Sequence, residues 1–320
     1  LKRVEGAYSL VALTSKKVIG VRDPWGVRPL VLGELNGAYI VTSETCALDI
    51  IGARFVRDVK PGEMVVIDRD GVKSYFPFGT LPAERFCIFE YIYFARPDSM
   101  VEGRNVYEAR KMIGSELAKE APVVADMVIP VPDSGVPAAL GYASESGTPF
   151  ELGIIRNHYV GRTFIEPTDS VRHLGVRLKH NANRAKLQGK RVVLVDDSIV
   201  RGTTSKKIVQ MVRDAGATEV HFRIASPPTT SSCFYGVDTP NKEDLLAHRM
   251  DVEEMRQYIN ADSLHFISMD GLYRAMGESA RNDAKPQFCD ACFSGAYPIE
   301  LTDVSGGRKD GQLSLLAEVA

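Results

Sequence analysis

Two adjacent carboxylates, Asp196 and Asp197, follow directly after a short apolar run, Val192–Val195. The run is rich in β-branched residues and too short for a helix, so it predicts a buried parallel strand. A loop of small and hydroxyl-bearing residues comes next, Ser198–Thr204, and then a helical pattern. In open α/β sheets, ligands bind at the carboxyl ends of strands, where such a loop and a helix N-terminus offer N–H groups to a phosphate. These residues therefore predict a site for a phosphorylated ligand.

The stretch Arg191–Ser205 resembles the 5-phosphoribosyl 1-pyrophosphate (PRPP) motif of type I phosphoribosyltransferases. The resemblance implies that Asp196 and Asp197 are the catalytic acids, lying beside the ribose hydroxyls and contributing to an Mg²⁺ site. It also implies a 5-phosphate loop made of Ser198, Ile199, Val200, Arg201, Gly202, Thr203 and Thr204. The alternative is a structural strand–helix corner with solvated acids.

A second small turn, Asp133, Ser134 and Gly135, also lies between an apolar strand candidate and a helix candidate. Such a turn can present N–H groups to an anion. It resembles the pyrophosphate loop of the same family, and the resemblance implies that these three residues bind PRPP and that Ser134 is close to Mg²⁺. The alternative is an ordinary helix N-cap.

The long polar segment 156–190 is rich in arginine and lysine and shows little apolar periodicity. A connection of this length is typically a functional lid or disordered, and its positive charge suits a substrate with a phosphate and a pyrophosphate. Its string RNHYVGRTFI resembles the flexible loop of amidophosphoribosyltransferases, which closes over PRPP. Arg162 and Lys179 are therefore expected to bind PRPP, whereas the histidines of the segment show no metal-ligand spacing.

Four cysteines form a candidate metal set, with Cys289 and Cys292 in a CxxC pair and Cys87 and Cys233 far away in sequence. Four thiolates satisfy tetrahedral zinc as well as a [4Fe–4S] cluster, so the chemistry alone leaves both open. One branch of amidophosphoribosyltransferases carries a structural [4Fe–4S] cluster, and these four cysteines resemble its ligands. The alternative is unrelated buried thiols and a chance CxxC.

Strand and helix patterns alternate around the acidic pair and predict a mostly parallel sheet flanked by helices. Strands are expected at 85–99, 127–131, 150–155, 220–225 and 264–267, and helices at 106–119, 137–144, 243–250 and 253–259. The helix after the acids has Ile208, Met211, Val212 and Ala215 on one face. The expected division is a phosphoribosyltransferase domain over residues 77–276 and a C-terminal segment with the CxxC over residues 277–320.

Residues 1–76 form short apolar runs separated by turn signals and predict antiparallel β structure, with a short helix at Thr45–Ile51. The string RDPWGVRPL, Arg22–Leu30, resembles a signature of class II glutamine amidotransferase domains. The nucleophile of that family is a cysteine at the mature N-terminus, whereas this sequence shows no cysteine before Cys46. Residues 1–76 are therefore expected to be an incomplete glutaminase domain that does not hydrolyse glutamine.

The bulk composition is that of a soluble globular protein. The 320 residues are 44% hydrophobic and 25% charged, and the formal net charge is −2. A near-neutral chain gives no sign of nucleic-acid or anionic-membrane binding, and no apolar run is long enough to cross a bilayer. Five cysteines are too few for a disulfide framework, which favours a reducing cytoplasm.

From about residue 1 to residue 296 the sequence resembles amidophosphoribosyltransferases of the iron–sulfur branch. The resemblance implies transfer of ammonia, supplied by glutamine in whole enzymes, to C1 of PRPP, with release of pyrophosphate at the start of purine synthesis. It also implies Mg²⁺, purine nucleotide inhibitors and a homo-oligomer. A salvage phosphoribosyltransferase would leave residues 1–76 and the cysteines without a role, and a PRPP-binding regulator should carry a basic nucleic-acid face that the composition does not show.

Overall fold

The computed structural model describes residues 4–157, 180–239 and 241–301. Its amino-terminal part consists of antiparallel strands, as the turn signals predict. One sheet has the order β1-β2-β6-β7 and a second has the order β4-β3-β5. The strands are β1 (Ser9–Leu13), β2 (Val18–Arg22), β3 (Val31–Leu35), β4 (Ala38–Thr42), β5 (Arg54–Asp58), β6 (Met64–Asp68) and β7 (Gly71–Tyr75). Helix α1 (Thr45–Ile51) ends at Gly52, which is in the left-handed region with φ 72°.

The RDPWGVRPL string forms a buried corner between strands. Arg22 is almost fully buried and donates to the carbonyl groups of Gly26, Arg28 and Val59 and to the Glu102 carboxylate. Asp23 accepts from the backbone N–H groups of Trp25 and Val27, which closes the turn. Both charged side chains therefore have a structural role here, in agreement with their interpretation as a corner.

The central sheet is parallel and has the order β11-β14-β15-β16. Its strands are β11 (Met127–Pro130), β14 (Arg191–Asp196), β15 (Glu219–Ile224) and β16 (Ser263–Phe266). Alternate residues of β14 point to opposite faces, because Val193 and Val195 join one core cluster and Val192 and Leu194 the other. The α/β fold class expected from the sequence is confirmed.

Helices cover both faces of this sheet. The helices α2 (Val106–Glu120), α3 (Val136–Ser146) and α8 (Met269–Ala275) pack on one face, and α5 (Thr203–Asp214) and α7 (Val252–Ile259) pack on the other. Helices α2 and α3 approach so closely that a Cβ on Gly114 would lie 1.9 Å from the carbonyl oxygen of Ala138. A Cβ on Gly141 would lie 1.9 Å from that of Lys111. Only glycine permits this backbone contact.

Smaller elements complete the described chain. They are the pairs β8 (Phe86–Cys87) with β17 (Phe288–Cys289), β9 (Met100–Val101) with β10 (Arg104–Asn105) and β12 (Ile154–Arg156) with β13 (His180–Ala182), and the helices α4 (Arg184–Leu187), α6 (Leu246–Arg249) and α9 (Ala291–Ser294). No helix within the described ranges is long and apolar enough to cross a bilayer.

Three sequence expectations about elements are wrong. The strand expected at 150–155 is extended only from Ile154, in β12, and Phe150 forms just an isolated bridge with Val128. The run 85–99 was expected as one strand, but only Phe86–Cys87 is extended, and Glu90–Phe94 is a π-helix. Phe89 packs against Tyr93 and Phe94, four and five residues later, which is the spacing of a helical turn. The helix expected over 243–250 is divided into a 3₁₀ turn, Lys242–Asp244, and helix α6. The domain boundaries at residues 76 and 276 stay a prediction.

Candidate functional site

The acidic pair lies at the carboxyl end of strand β14. Asp196 is the last residue of the strand and Asp197 follows it, and their exposed fractions are only 8% and 7%. The Asp197 N–H donates to Asp196 Oδ1 at 2.9 Å, and the Ser198 hydroxyl donates to Asp197 Oδ1 at 2.6 Å. Two neighbouring carboxylates are thus held in fixed positions at a strand end with little solvent.

Burial raises the pKa of both carboxyl groups, because a charged carboxylate loses its hydration there. The negative charge of Asp197 raises the pKa of Asp196 further. Hydrogen bonds from Ser134 and Ser198 and the positive charge of Arg110 act in the opposite direction and favour the charged form of Asp197. A cation or a hydroxyl-rich ligand bound here would relieve the repulsion between the two acids.

The turn at Asp133–Gly135 lies beside the acidic pair, as the sequence predicts for two motifs at one edge of a sheet. Strands β11 and β14 are parallel neighbours, with Pro130 opposite Val195. Gly135 allows the close approach, because a Cβ at this position would lie 2.5 Å from the Val195 carbonyl oxygen and 3.3 Å from the Asp196 Cα. The Ser134 hydroxyl consequently reaches the Asp197 carboxylate.

The loop after the acids connects β14 to the start of helix α5. Gly202 is the N-cap in the left-handed region, with φ 75°, and a Cβ there would lie 2.5 Å from Leu246 Cδ2. The Leu246 N–H also donates to the Val200 carbonyl at 2.8 Å, so helix α6 supports the loop from behind. No side chain caps the first turn of α5, where Thr203 and Thr204 are exposed. This N-terminus can therefore bind an anion through its N–H groups.

The predicted substrate-binding residues differ in how they are placed. Arg201, Thr203 and Thr204 are exposed, whereas the Ile199 side chain is buried in the core below the loop, so only its backbone can serve a ligand. Asp133 forms an ion pair with Arg156. Arg162 and Lys179 lie outside the described residues.

Arg110 is a site residue that the sequence interpretation missed. It lies on the buried face of α2, is 5% exposed, and shares one narrow space with Ser134 and Asp197. The available signal was an arginine at position 110 within the apolar helical spacing Val106, Ala109, Ile113 and Leu117. A charged residue on such a stripe is rarely buried without a partner.

The four predicted cluster cysteines come together in one region. Cys87 and Cys289 are directly opposite in the β8–β17 pair, and Cys233 packs against the same apolar cluster. Cys292 interacts electrostatically with the other three thiols, whereas Cys46 lies elsewhere, near Glu44 and Ser99. Burial raises the pKa of each of the three thiols Cys87, Cys289 and Cys292, that of Cys289 to about 12, and the neighbouring thiols raise these values further.

A bound metal ion would lower the pKa of these thiols, because the thiolate is the form of cysteine that binds a metal. The four-thiol donor set fits a [4Fe–4S] cluster and also zinc. In the part of the chain that the structure describes, no three His, Cys, Asp or Glu side chains are already arranged to hold a metal ion. The fit therefore rests on the type and proximity of the donors.

The region that contains the parallel sheet matches a known protein family. Residues 102–225, which include Arg110, the Ser134 turn and the acidic pair, match the phosphoribosyl transferase domain. The chain contains a phosphoribosyltransferase domain. The amidophosphoribosyltransferase of Rhizobium etli is 61% identical over 99% of this chain and 65% of its own length. Amidophosphoribosyltransferase 1 of Arabidopsis thaliana, a chloroplastic protein, is 54% identical over 97% of this chain and 54% of its own length.

A similar solved structure is that of the Bacillus subtilis glutamine PRPP amidotransferase complexed with ADP and GMP. It superposes with a TM-score of 0.85 at 51% identity, over 92% of this chain and 65% of that one. The chain thus spans between about half and two thirds of the length of the relatives it matches. The similarity nevertheless runs through the antiparallel sheets and the parallel sheet alike.

Proposed function

We propose that this chain carries the PRPP site of an amidophosphoribosyltransferase. In the proposed reaction ammonia attacks C1 of PRPP, the C1–O bond to pyrophosphate breaks, and 5-phosphoribosylamine and pyrophosphate form. The single observation that supports this function best is the pairing of Asp197 with the Ser134 turn at the carboxyl ends of adjacent parallel strands. The identity of 51–61% to amidophosphoribosyltransferases over nearly the whole chain supports the same reaction.

The chain's own residues would act mainly by position and charge. The N–H groups at the start of α5 would bind the 5-phosphate, and the Ser134 turn the pyrophosphate. Asp196 and Asp197 would accept hydrogen bonds from the ribose hydroxyls and stabilise positive charge that develops on the ring as the C1–O bond loosens.

Mg²⁺ fits the oxygen donors of this site, since hard cations prefer carboxylate and hydroxyl ligands. We propose that Ser134, Asp196 and Asp197 hold it, directly or through water, and that it supplies charge stabilisation for the departing pyrophosphate. Glutamine as the source of ammonia in the whole enzyme, inhibition by purine nucleotides, a homo-oligomeric assembly and a cytoplasmic location belong to the same proposal, whereas this chain by itself is not expected to hydrolyse glutamine. The B. subtilis protein, a glutamine PRPP amidotransferase, was solved with ADP and GMP, which supports the first two.

Calorimetry of PRPP binding in the presence of Mg²⁺ tests the site. Wild-type chain should bind PRPP, and Asp197→Asn should weaken binding strongly while the fold is retained. Asp126→Asn is the matched control, because Asp126 precedes β11 and pairs with Arg191 at the opposite, amino ends of the same strands. Equal PRPP affinity in wild type and Asp197→Asn would refute the assigned site.

We also infer that Cys87, Cys233, Cys289 and Cys292 bind a [4Fe–4S] cluster, with zinc as the competing occupant. Their convergence from three separate stretches of the sequence supports a shared ligand. Iron, sulfide and zinc are measured per chain after anaerobic purification. About four irons per chain are expected, whereas stoichiometric zinc without iron would overturn this assignment.

A further inference from the structure

The buried arginine on helix α2 has no role in the reaction as described so far. Arg110 donates from Nε to the Tyr91 carbonyl at 2.9 Å and from Nη2 to the Ala95 carbonyl at 2.7 Å. These carbonyl groups belong to the π-helix and to the residue that ends it. Two backbone acceptors fix the plane of the guanidinium group, because its donors form a rigid fork.

The same guanidinium lies next to the acidic pair. Arg110, Ser134 and Asp197 line one narrow space, together with the apolar side chains of Ile113 and Ala138. Its positive charge favours the charged form of Asp197, and the charge of Asp197 acts back on Arg110. A fixed cation in such a poorly solvated space exerts a stronger force than it would in water.

The π-helix that anchors Arg110 is itself tied to other parts of the chain. Its first residue, Glu90, is buried and accepts from Arg28 Nη1 at 2.6 Å. Arg28 Nε donates in turn to the Tyr235 carbonyl, two residues after Cys233. The position of the Arg110 guanidinium is therefore set by a π-helix that is joined to both the RDPWGVRPL corner and the cysteine region.

We propose that Arg110 is a positioning residue for Asp197, holding this carboxylate in the orientation that PRPP and Mg²⁺ require. The inference rests on the proposed function, since it assigns a support to one of its acids. Outer partners that orient ligand-binding groups typically contribute about 10- to 100-fold to metal affinity or activity. Arg110→Gln should therefore weaken Mg²⁺-dependent PRPP binding by about 10- to 100-fold and raise the Mg²⁺ concentration needed for binding.

Arg223→Gln is a matched control for the loss of a buried arginine. Arg223 is equally buried in the same domain and also donates to backbone carbonyl groups, those of Ala121 and Phe222. Its third partner is the hydroxyl of Ser263, the first residue of β16, so it lies toward the end of the sheet opposite to the acidic pair. Both variants should lose thermal stability, but Arg223→Gln should keep the PRPP affinity and Mg²⁺ requirement of the wild type.

The experiment measures PRPP affinity by calorimetry at several Mg²⁺ concentrations, with the melting temperature of each variant. Wild-type PRPP affinity in Arg110→Gln, or an equal loss in Arg223→Gln, would overturn the positioning role. If the glutamine variant fails to fold, Arg110→Lys decides, because lysine keeps the charge but cannot reach both carbonyl groups. It should bind PRPP more weakly than the wild type does, and an unchanged affinity would overturn the role. Absence of PRPP binding by the wild type would instead refute the proposed function.

Discussion

At Gly135, a single added methyl group should push the Ser134 turn away from the acidic pair. In Gly135→Ala the new Cβ would lie 2.5 Å from the Val195 carbonyl oxygen and 2.9 Å from that of Val131. Both neighbours are backbone atoms, so the turn must move away from strand β14. The φ of Gly135 is −75°, which any residue adopts, so the cost comes from this collision alone.

The expected magnitude follows from overpacking, which costs about 1–3 kcal/mol. In a domain of roughly 150–250 residues, each kcal/mol lowers the melting temperature by about 2–4 °C. If displacing the Ser134 hydroxyl weakens the free energy of PRPP binding by the same amount, PRPP affinity falls by about 5- to 150-fold. Thermal unfolding followed by circular dichroism and PRPP calorimetry with Mg²⁺ measure the two effects.

Gly33→Ala separates the general effect of crowding from the effect on the site. Its Cβ would lie 2.4 Å from Leu48 Cδ2 and 3.2 Å from the Arg54 carbonyl oxygen, in the antiparallel part of the chain. This variant should lose stability and keep its PRPP affinity. The reasoning is refuted if Gly135→Ala binds PRPP as the wild type does, or if Gly33→Ala loses affinity to the same extent.

Three further predictions concern the buried charges and the phosphate loop. Arg22→Met should cost about 3–5 kcal/mol in denaturant unfolding, since it leaves Glu102 and three carbonyl groups without their donor. Burial raises the pKa of Glu63, but hydrogen bonds from Arg57 and from the Lys60 N–H outweigh it and hold this pKa below its usual 4.5. The contribution of Glu63 to stability is therefore fully present above pH 4.5 and is lost as the pH falls through the lowered pKa. Glu63→Gln should therefore show a weaker loss of stability on acidification. Gly202→Ala should lower stability and PRPP affinity together, because φ is 75° and Leu246 blocks the Cβ.

Each of these has a control within the chain. Arg54→Met removes an exposed ion pair to Glu34 and should change stability by less than about 1 kcal/mol. Asp70→Asn removes a carboxylate that is mostly exposed and should change stability by less than about 1 kcal/mol. Gly37→Ala has φ 82° but open space around the Cβ, so it should cost stability without affecting PRPP affinity. An Arg22→Met variant as stable as Arg54→Met would contradict the account of the corner.

Local signals were sufficient to predict the elements that carry the acidic pair. The β-branched run Val192–Val195 predicts strand β14 to within one residue at each end, whereas helix α5 begins at Thr203, inside the stretch expected to be loop. The Thr45–Ile51 helix was also predicted with its observed bounds, because Gly52 marks its end. These signals lie within a few residues of the features they specify.

Features that depend on distant contacts could not be predicted in this way. The π-helix at Glu90–Phe94 is composed of aromatic and β-branched residues that favour strands, but Arg110 binds the carbonyl groups of Tyr91 and Ala95 from a later helix. Strand β5 carries Arg54, Arg57 and Asp58 and showed no apolar alternation. The approach of Gly135 to Val195 follows from the pairing of two strands about sixty residues apart, which no local pattern encodes.

The direct backbone contact of α2 with α3 makes these two helices one mechanical unit. With no side chain between them at Gly114 and Gly141, neither helix can slide or turn without a collision. Helix α3 begins at Val136, two residues after Ser134, and α2 carries Arg110, so the hydroxyl and the guanidinium beside Asp197 are expected to keep a constant spacing. We therefore expect this side of the site to keep its shape whether or not PRPP is bound.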